Sequence, residues 1–207
     1  MKIIDFPQGS DEWLASRAGK VTASKIAEVI AKGKSGEAAA RANYKAQIVA
    51  EILTGKPQGD TFTNAAMEWG TTQEPFARAA YEMARGVMVD QCGLVLHPRI
   101  ERGAASPDGL ANEGLCEIKC PNTATHLQYL LGKEVPSKYV PQMLWQMACT
   151  ERPWNDFISF DPRLPEDLQL FVVRLERDET RIKELETEVL TFLGEVDALI
   201  AKLKGNK

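Results

Sequence analysis

The sequence lacks the long apolar run that a membrane-spanning helix requires, and its N-terminus has no apolar signal region. Both absences favour a cytosolic protein without membrane contact. Internal repeats and low-complexity segments are also absent, which excludes a solenoid array. With 207 residues, 44% of them hydrophobic and 26% charged, the chain has the size and composition of one globular domain.

Cysteine and histidine are scarce. The four cysteines, Cys92, Cys116, Cys120 and Cys149, contain no Cys-x-x-Cys pair, which argues against a zinc ribbon and against thioredoxin-like redox chemistry. In a cytosolic chain we expect them to be buried free thiols. His97 is one of two histidines and precedes a proline, and we do not assign it to a metal site.

An overall excess of positive charge is missing too, since the formal net charge is -4. The charge is unevenly distributed, however. Residues 17–56 contain eight basic and three acidic residues, whereas residues 151–201 contain thirteen acidic and six basic ones. A basic segment on an acidic protein is typical of a local polyanion site. On charge alone, a solvated helix surface without any partner explains the segment better.

Hydrophobic patterning predicts a mixed α/β fold. Helices are predicted within residues 22–32, 40–55 and 63–86, strands between 87 and 120, a helix around "PQMLWQMACT", and further strands between 156 and 177. Pro75 is expected near a helix start or at a kink. Residues 178–204 are predicted to form one long helix whose apolar stripe packs on its own domain; the stripe comprises Ile182, Leu185, Val189, Phe192, Val196, Leu199 and Leu203.

The stretch "LCEIKCPNT", residues 115–123, places an acid and a base inside an apolar run. In a strand, alternate side chains point to opposite faces. Cys116, Ile118 and Cys120 then share an apolar face, while Glu117 and Lys119 point together from the other face. Pro121 ends the strand.

Just upstream, "SPDG" predicts a tight turn with Asp108 at its centre. The short segment "LANEG" allows a hairpin that brings Asp108 beside Glu117. Two adjacent carboxylates repel each other, and Mg²⁺ or Mn²⁺ relieves that repulsion, with the backbone carbonyl of Ile118 as a further oxygen ligand. Taken one by one, these residues are explained by a surface ion pair and an ordinary turn. Their combination favours a catalytic site.

Five ordered blocks extend this constellation. "QGSDEWLASRAGKVTASKIAEV", "WGTTQEP", "GAASPDGL", "LCEIKCP" and "YVPQMLWQMA" resemble the phage lambda exonuclease family, also called YqaJ-type viral recombinase nucleases, within the PD-(D/E)xK superfamily. The resemblance runs from about Gln8 to about Asp178. It implies a restriction-endonuclease-like core with a small central mixed sheet flanked by helices and a long C-terminal helix. The implied single nuclease domain, 1–207, divides into a mainly helical DNA-binding part (about 1–86), a catalytic sheet and helix (about 87–175) and the C-terminal helix (about 178–204).

The resemblance also implies an activity. Proteins of this family degrade duplex DNA processively from a 5′ end to mononucleotides, with two Mg²⁺ ions per site and Mn²⁺ as a substitute. They leave a 3′ single strand for recombination by single-strand annealing. The implied assembly is a homotrimeric ring around a DNA end, with an annealing protein as partner, in the cytoplasm of a bacterial cell that carries the phage or prophage gene.

Residue roles follow from the matched blocks. Asp108 and Glu117 match the metal-binding carboxylates, Glu74 a further acid that supports the metal through water, and Lys119 the lysine that orients or activates the attacking water. The residues that match a 5′-phosphate pocket are Arg17, Ser24, Ser106 and Gln142. Ser24 is expected at a helix N-terminus, which favours an anion. Lys34 stands where the lambda protein has a strand-steering arginine, and Met67 where it has a wedging leucine. Trp13 is expected to fill the core.

Three alternatives stay open at this point. One is a structural protein that oligomerises through the long C-terminal helix and does not respond to chelators. A DNA-end binding or annealing module would use the basic segment without needing Asp108, Glu117 and Lys119 together. An endonuclease with the same core would cut closed circular DNA, which an end-dependent exonuclease leaves intact.

Overall fold

A computed structural model describes residues 1–34, 36–58 and 64–205. These residues form seven α-helices, nine strands and two 3₁₀ turns. The helices are α1 (Asp11–Arg17), α2 (Ile26–Val29), α3 (Ala39–Thr54), α4 (Ala65–Arg85), α5 (Thr123–Gly132), α6 (Val140–Thr150) and α7 (Glu179–Gly205). The strands are β1 (Lys2–Ile4), β2 (Val21–Thr22), β3 (Val89–Asp90), β4 (Leu94–Leu96), β5 (Gly103–Ala105), β6 (Gly109–Ala111), β7 (Gly114–Lys119), β8 (Trp154–Phe160) and β9 (Leu170–Glu176). Within these ranges, no helix combines the length and the apolar character that crossing a bilayer demands.

The strands form two mixed sheets. The larger sheet has the order β3-β6-β7-β8-β9, with β7 and β8 parallel and the other pairs antiparallel. The smaller sheet has the order β1-β4-β5-β2. The predicted mixed α/β fold with a central mixed sheet is confirmed. The second sheet was not predicted, because its strands have only two or three residues and show no recognisable alternation.

Helix α6 is the central element of the core. All but two of its residues are buried, and it contacts β4 and β5 of the smaller sheet, β8 of the larger sheet, and α2 and α7. A helix that is apolar on nearly every side is stable only when protein surrounds it. Its polar side chains therefore meet protein groups or an internal cavity.

Helix α4 is a single helix of 21 residues. The Asn64 side chain accepts a hydrogen bond from the Met67 backbone N–H at its start, and Gly86 ends it in the left-handed conformation with φ 63°. Pro75 lies in the middle of the helix and not near a helix start, the first of the two positions predicted for it. The missing N–H removes one backbone bond, but Ala77 and Tyr81 anchor the following turn in the core beside Cys116 and Ile118.

The predicted helix within residues 22–32 is much shorter in the structure. Val21–Thr22 pair in parallel with Gly103 and Ala104 of β5, and a 3₁₀ turn, Ala23–Lys25, precedes the four-residue helix α2. Ala27 is exposed, whereas Val29 is buried. The tertiary pairing of β2 overrides the local helical pattern.

Helix α7 packs on its own domain, as predicted, mainly against α3 and α6. Five of the predicted stripe residues are buried, namely Ile182, Leu185, Val189, Phe192 and Val196. Leu199 is partly buried, whereas Leu203 remains 48% exposed near the end of the helix.

Ion pairs between α3 and α7 change the interpretation of the basic segment. Arg41 donates to both carboxylate oxygens of Glu195 at 2.6 and 2.9 Å, and Lys45 donates to the same carboxylate at 2.8 Å. Both cations also contact Glu37 at 2.7 Å. Two charges of the basic N-terminal segment are thus neutralised within the fold, so the excess of cations available to a polyanion is smaller than the sequence suggests.

Truncation of Phe192 tests how much the α3–α7 contact stabilises the fold. Phe192 is fully buried and stacks on Tyr44 with the ring centroids 5.5 Å apart. Phe192→Ala is expected to lower the free energy of unfolding by about 3–5 kcal/mol, because it leaves a cavity in a packed core. Denaturant unfolding followed by circular dichroism measures this change. Leu190→Ala, at a position 56% exposed on the same helix, is the matched control; an equal loss in both variants would contradict the assignment.

Candidate active site

Strand β7 presents the acid and the base as the alternation predicted. Cys116, Ile118 and Cys120 pack in a cluster with α4. Glu117 is fully buried on the opposite face, which α6 covers, and forms an ion pair with Lys119. A buried charge is tolerated only when it is paired and hydrogen-bonded.

Asp108 lies beside Glu117, in the segment that crosses from β5 of the smaller sheet to β6 of the larger one. In the β6–β7 hairpin Gly109 is opposite Cys116, so the next pair along the ladder is Asp108 and Glu117. The backbone N–H of Ile118 donates to Asp108 Oδ2 at 2.6 Å. The predicted proximity is found, and the hairpin turns at residues 112–113 within "LANEG", as predicted. At Asp108 the backbone bends without forming the tight turn predicted for "SPDG". Gly109 is required here, because a Cβ atom would lie 2.1 Å from the Val89 side chain.

Two glutamine side chains of α6 hold the Glu117 carboxylate. Gln142 Nε2 donates to Oε1 at 2.6 Å, and Gln146 Nε2 donates to Oε2 at 2.5 Å. Gln146 in turn accepts from Asn155 Nδ2 at 2.7 Å. Sequence reasoning missed Gln146 and Asn155. The four-residue spacing of Gln142 and Gln146, which places both on one helix face, was the available signal.

The charges at the site influence one another. Burial raises the pKa of the Asp108 carboxyl to about 8, and the neighbouring charge of Glu117 adds to the effect. Burial alone would lower the pKa of Lys119, but the negative charges of Glu117 and Asp108 outweigh it and the pKa is raised. The lysine is therefore held as a cation.

The donor set suits a divalent oxygen-seeking cation. Asp108 and Glu117 supply adjacent carboxylate oxygens, the kind of ligand that Mg²⁺ prefers. Across residues 1–34, 36–58 and 64–205, no group of three His, Cys, Asp or Glu side chains is arranged to hold a metal. Glu74 faces a cavity of about 350 Å³ that Asp108, Ile118 and Lys119 also line, and accepts from Arg78 at 2.6 Å. Glu74 thus shares a cavity with Asp108 and Lys119.

A second cavity, of about 270 Å³, contains all four residues predicted to bind a 5′ phosphate. Arg17, Ser24, Ser106 and Gln142 line it. Asp108, Glu117 and Lys119 line the same cavity. Residues from four separate parts of the chain thus meet in one space with an arginine fork, two hydroxyls and an amide at its wall, the groups that bind phosphate oxygens.

Arg17 is the last residue of α1, and its Nη2 atom lies 3.4 Å from Ser24 Oγ. Burial lowers the pKa of its guanidinium. The helix-dipole argument for Ser24 was wrong, because Ser24 lies in the 3₁₀ turn and α2 has only four residues. Its hydroxyl, and not a helix terminus, faces the cavity.

Trp13 was expected in the core, but it is half-buried and lines the second cavity. This cavity is called the phosphate cavity from here on, after the four residues predicted to bind a 5′ phosphate. Its Nε1 donates to Ser106 Oγ at 3.0 Å, and the Arg17 guanidinium lies 4.1 Å from its ring centroid. Trp13 therefore positions two of the predicted phosphate-binding residues through a hydrogen bond and a cation–π contact.

The remaining predicted residues lie at different distances from this site. Met67, 55% exposed, lines the larger of the two cavities together with Glu74 and is open to solvent. Lys34 is exposed in the loop before α3 and lines neither cavity. His97 is buried elsewhere, with Nε2 3.1 Å from Glu186, and takes no part in the site. The four cysteines are buried free thiols, as expected.

Comparison with known proteins shows several related chains. LHK-Exo, an alkaline exonuclease from Laribacter hongkongensis that was also solved in complex with dAMP, is 48% identical with a TM-score of 0.88, covering 95% of this chain and 97% of that one. A phage-related exonuclease from Haemophilus somnus 129PT is 17% identical with a TM-score of 0.70, covering 89% and 96%, and shows the fold alone.

An uncharacterised protein, R354, of Acanthamoeba polyphaga mimivirus is 32% identical over 174 residues, which are 76% of this chain. The match spans 30% of the length of that viral protein. The model of the YqaJ-like viral recombinase domain matches residues 12–153. This range includes Asp108, Glu117 and Lys119 and the four residues predicted to bind a 5′ phosphate. The chain belongs to the YqaJ-like viral recombinase domain family.

Proposed function

We propose that the protein is a Mg²⁺-dependent exonuclease that hydrolyses duplex DNA from the 5′ end and leaves a 3′ single strand. The observation that carries the proposal is the shared cavity, in which the predicted phosphate-binding residues and the Asp108–Glu117–Lys119 group line one space. The 48% identity with an alkaline exonuclease supports it.

Different side chains of the site would bind the cation and position the attacking water in phosphodiester hydrolysis. Asp108 and Glu117 would hold the cation, with the Ile118 carbonyl as a further ligand and Glu74 acting through water. When bound, one or two Mg²⁺ ions would lower the pKa of water and neutralise charge on the phosphate. Lys119, held as a cation beside Glu117, positions the attacking water or stabilises its hydroxide form.

Recognition of the 5′ phosphate combines a guanidinium, two hydroxyls and an amide. Gln142 Nε2 donates to Glu117 Oε1 in the described structure, and the same nitrogen carries a second hydrogen that can donate to a phosphate oxygen. Arg17, Ser24 and Ser106 supply the other contacts. Arginine offers a bidentate fork, and the hydroxyls add directed hydrogen bonds. A terminal phosphate held there would place the next phosphodiester near Asp108 and Glu117.

The further elements of the proposal come from the family resemblance. They are a homotrimeric ring that encircles the duplex, processive release of mononucleotides, and transfer of the 3′ strand to an annealing protein during phage-type recombination in the bacterial cytoplasm. Met67 would contact the terminal base pairs from the larger cavity, and Lys34 the strand backbone.

Digestion of linear and circular duplex DNA distinguishes an exonuclease from an endonuclease and from a non-catalytic binding module. With Mg²⁺, a linear duplex bearing 5′ phosphates should be degraded, a closed circle should stay intact, and a linear duplex with 5′ hydroxyls should be degraded about tenfold or more slowly, the effect of losing one charge-assisted contact. Nucleotide release followed by gel and chromatography measures all three. Cutting of the circle would identify an endonuclease, and binding without release a non-catalytic module.

Removal of the acid or the base should abolish cleavage. Glu117→Gln and Lys119→Ala are each expected to reduce the turnover of linear duplex by about 10²–10⁴-fold, the range for the loss of a positioned catalytic group. Circular dichroism should show both variants folded. Glu113→Gln, the same exchange at an exposed residue of the β6–β7 turn, is the control and should retain full activity. Near wild-type turnover in either site variant would refute the assignment.

Removal of one of the two adjacent carboxylates is expected to raise the stability of the metal-free protein. Asp108→Asn removes one of two neighbouring negative charges. In metal-free buffer at pH 8 it should therefore raise the Tm by about 2 °C or more, the shift that about 1 kcal/mol produces in a chain of this size. Mg²⁺ should raise the Tm of the wild type and change that of Asp108→Asn little. Scanning calorimetry with and without Mg²⁺ measures both shifts; an unchanged wild-type Tm would contradict a cation site here.

A further inference from the structure

A chain of fully buried polar side chains extends from Glu117 into the core. Gln146 Nε2 donates to Glu117 Oε2 at 2.5 Å, and Asn155 Nδ2 donates to Gln146 Oε1 at 2.7 Å. The three residues have no exposed surface. Gln146 and Asn155 line neither cavity of the site, so neither can touch DNA or a phosphate.

Glu117 and Asn155 together fix which way the Gln146 amide points, since the carboxylate accepts from its nitrogen and Asn155 Nδ2 donates to its oxygen. An amide group has a donor end and an acceptor end. Because Asn155 Nδ2 occupies Gln146 Oε1, the Gln146 nitrogen is turned toward Glu117. The opposite orientation would place two oxygen acceptors against each other and two amide nitrogens against each other. Asn155 is itself fixed by β8, where it pairs in parallel with Leu115 of β7.

The two oxygens of Glu117 have different surroundings. Gln142 and Lys119 contact Oε1, and both line the phosphate cavity. Gln146 contacts Oε2 from the closed side. A cation that binds Oε1 competes with Gln142 and Lys119 for that oxygen. The hydrogen bond from Gln146 is then the contact that keeps the carboxylate in place.

The hydrogen-bonded chain from Asn155 through Gln146 to Glu117, called the relay from here on, stabilises the core less than apolar side chains would. Asn155 Oδ1 is buried and finds no hydrogen-bond partner within the described ranges, and an unsatisfied buried oxygen destabilises a fold by about 1–3 kcal/mol. Apolar side chains of the same size would fill the space without that loss. A buried network that leaves one polar atom unsatisfied is explained if it holds the group at its end, the Glu117 carboxylate, in one orientation.

We propose that Gln146 and Asn155 are positioning residues that orient the Glu117 carboxylate for divalent-cation binding, with Asn155 acting through the amide of Gln146. This inference rests on the proposed function of the site. Hydrogen-bond partners of a metal-binding carboxylate affect the metal affinity by about 10–100-fold, and the relay acts in the same way.

The test measures binding of Mg²⁺ or Mn²⁺ by calorimetry in the absence of DNA. Gln146→Met and Asn155→Leu replace each amide by an apolar side chain of similar size. Each is expected to weaken the affinity about 10–100-fold. Thr150→Val is the matched control. It removes the hydrogen bond from Thr150 Oγ1 to the Gln146 carbonyl at 2.8 Å on the same buried helix, but leaves the relay intact, and it should bind the cation as the wild type does.

The double variant tests whether Asn155 acts through Gln146. If it does, Gln146→Met/Asn155→Leu binds the cation no more weakly than Gln146→Met alone, since the second substitution removes an interaction already lost. If Gln146→Met does not fold, Asn155→Leu carries the same comparison with the control. The preference for 5′-phosphorylated over 5′-hydroxyl DNA should persist in the single variants, because the phosphate cavity is untouched.

Folded relay variants that bind the cation as tightly as Thr150→Val would overturn the inference. Its failure is distinguishable from failure of the proposed function. A wild type that binds the cation but releases no nucleotides, while the relay variants bind it weakly, refutes the exonuclease and leaves the relay standing. A wild type that degrades DNA, with relay variants that match the control in binding, refutes the relay alone.

Discussion

The burial of Glu117 next to Asp108 is the constraint on which the rest of the site depends. A fully buried carboxylate beside a second carboxylate is unfavourable unless donors and cations surround it. Lys119, Gln142 and Gln146 supply that surrounding. Burial, with the charge of Glu117 as a further cause, raises the pKa of Asp108 to about 8. Under the proposed function, a divalent cation bound between the two carboxylates would offset both effects.

Helix α6 makes this arrangement rigid. Since protein surrounds it on nearly all sides, its side chains cannot shift independently of the two sheets. Gln142 and Gln146 sit one turn apart on it, and Gln142 reaches the phosphate cavity while Gln146 stays closed off. One helix thus carries an amide that lines the cavity, Gln142, and an amide that is closed off from it, Gln146.

The charge pattern shows why composition is a weak guide to binding. The basic N-terminal segment and the acidic C-terminal segment suggested separate surfaces, yet Arg41 and Lys45 face Glu195 across the α3–α7 contact. These pairs tie the C-terminal helix to the domain. The arginine at the candidate site is instead Arg17, which is partly buried against Trp13 and directed by it into a cavity.

The sequence alone determined the mixed fold class, the long C-terminal helix and the pairing of Glu117 with Lys119 on one strand face, because periods of 3.6 and 2 are local properties. Ordered sequence blocks also brought Arg17, Ser24, Ser106 and Gln142 to one predicted pocket. The tertiary structure decided the rest. The short strands of the smaller sheet, the truncation of α2 and the role of Trp13 depend on partners far away in the chain, which local patterns do not encode. The Asn155–Gln146–Glu117 relay appears only when β7, β8 and α6 pack together, since each of its hydrogen bonds joins different elements.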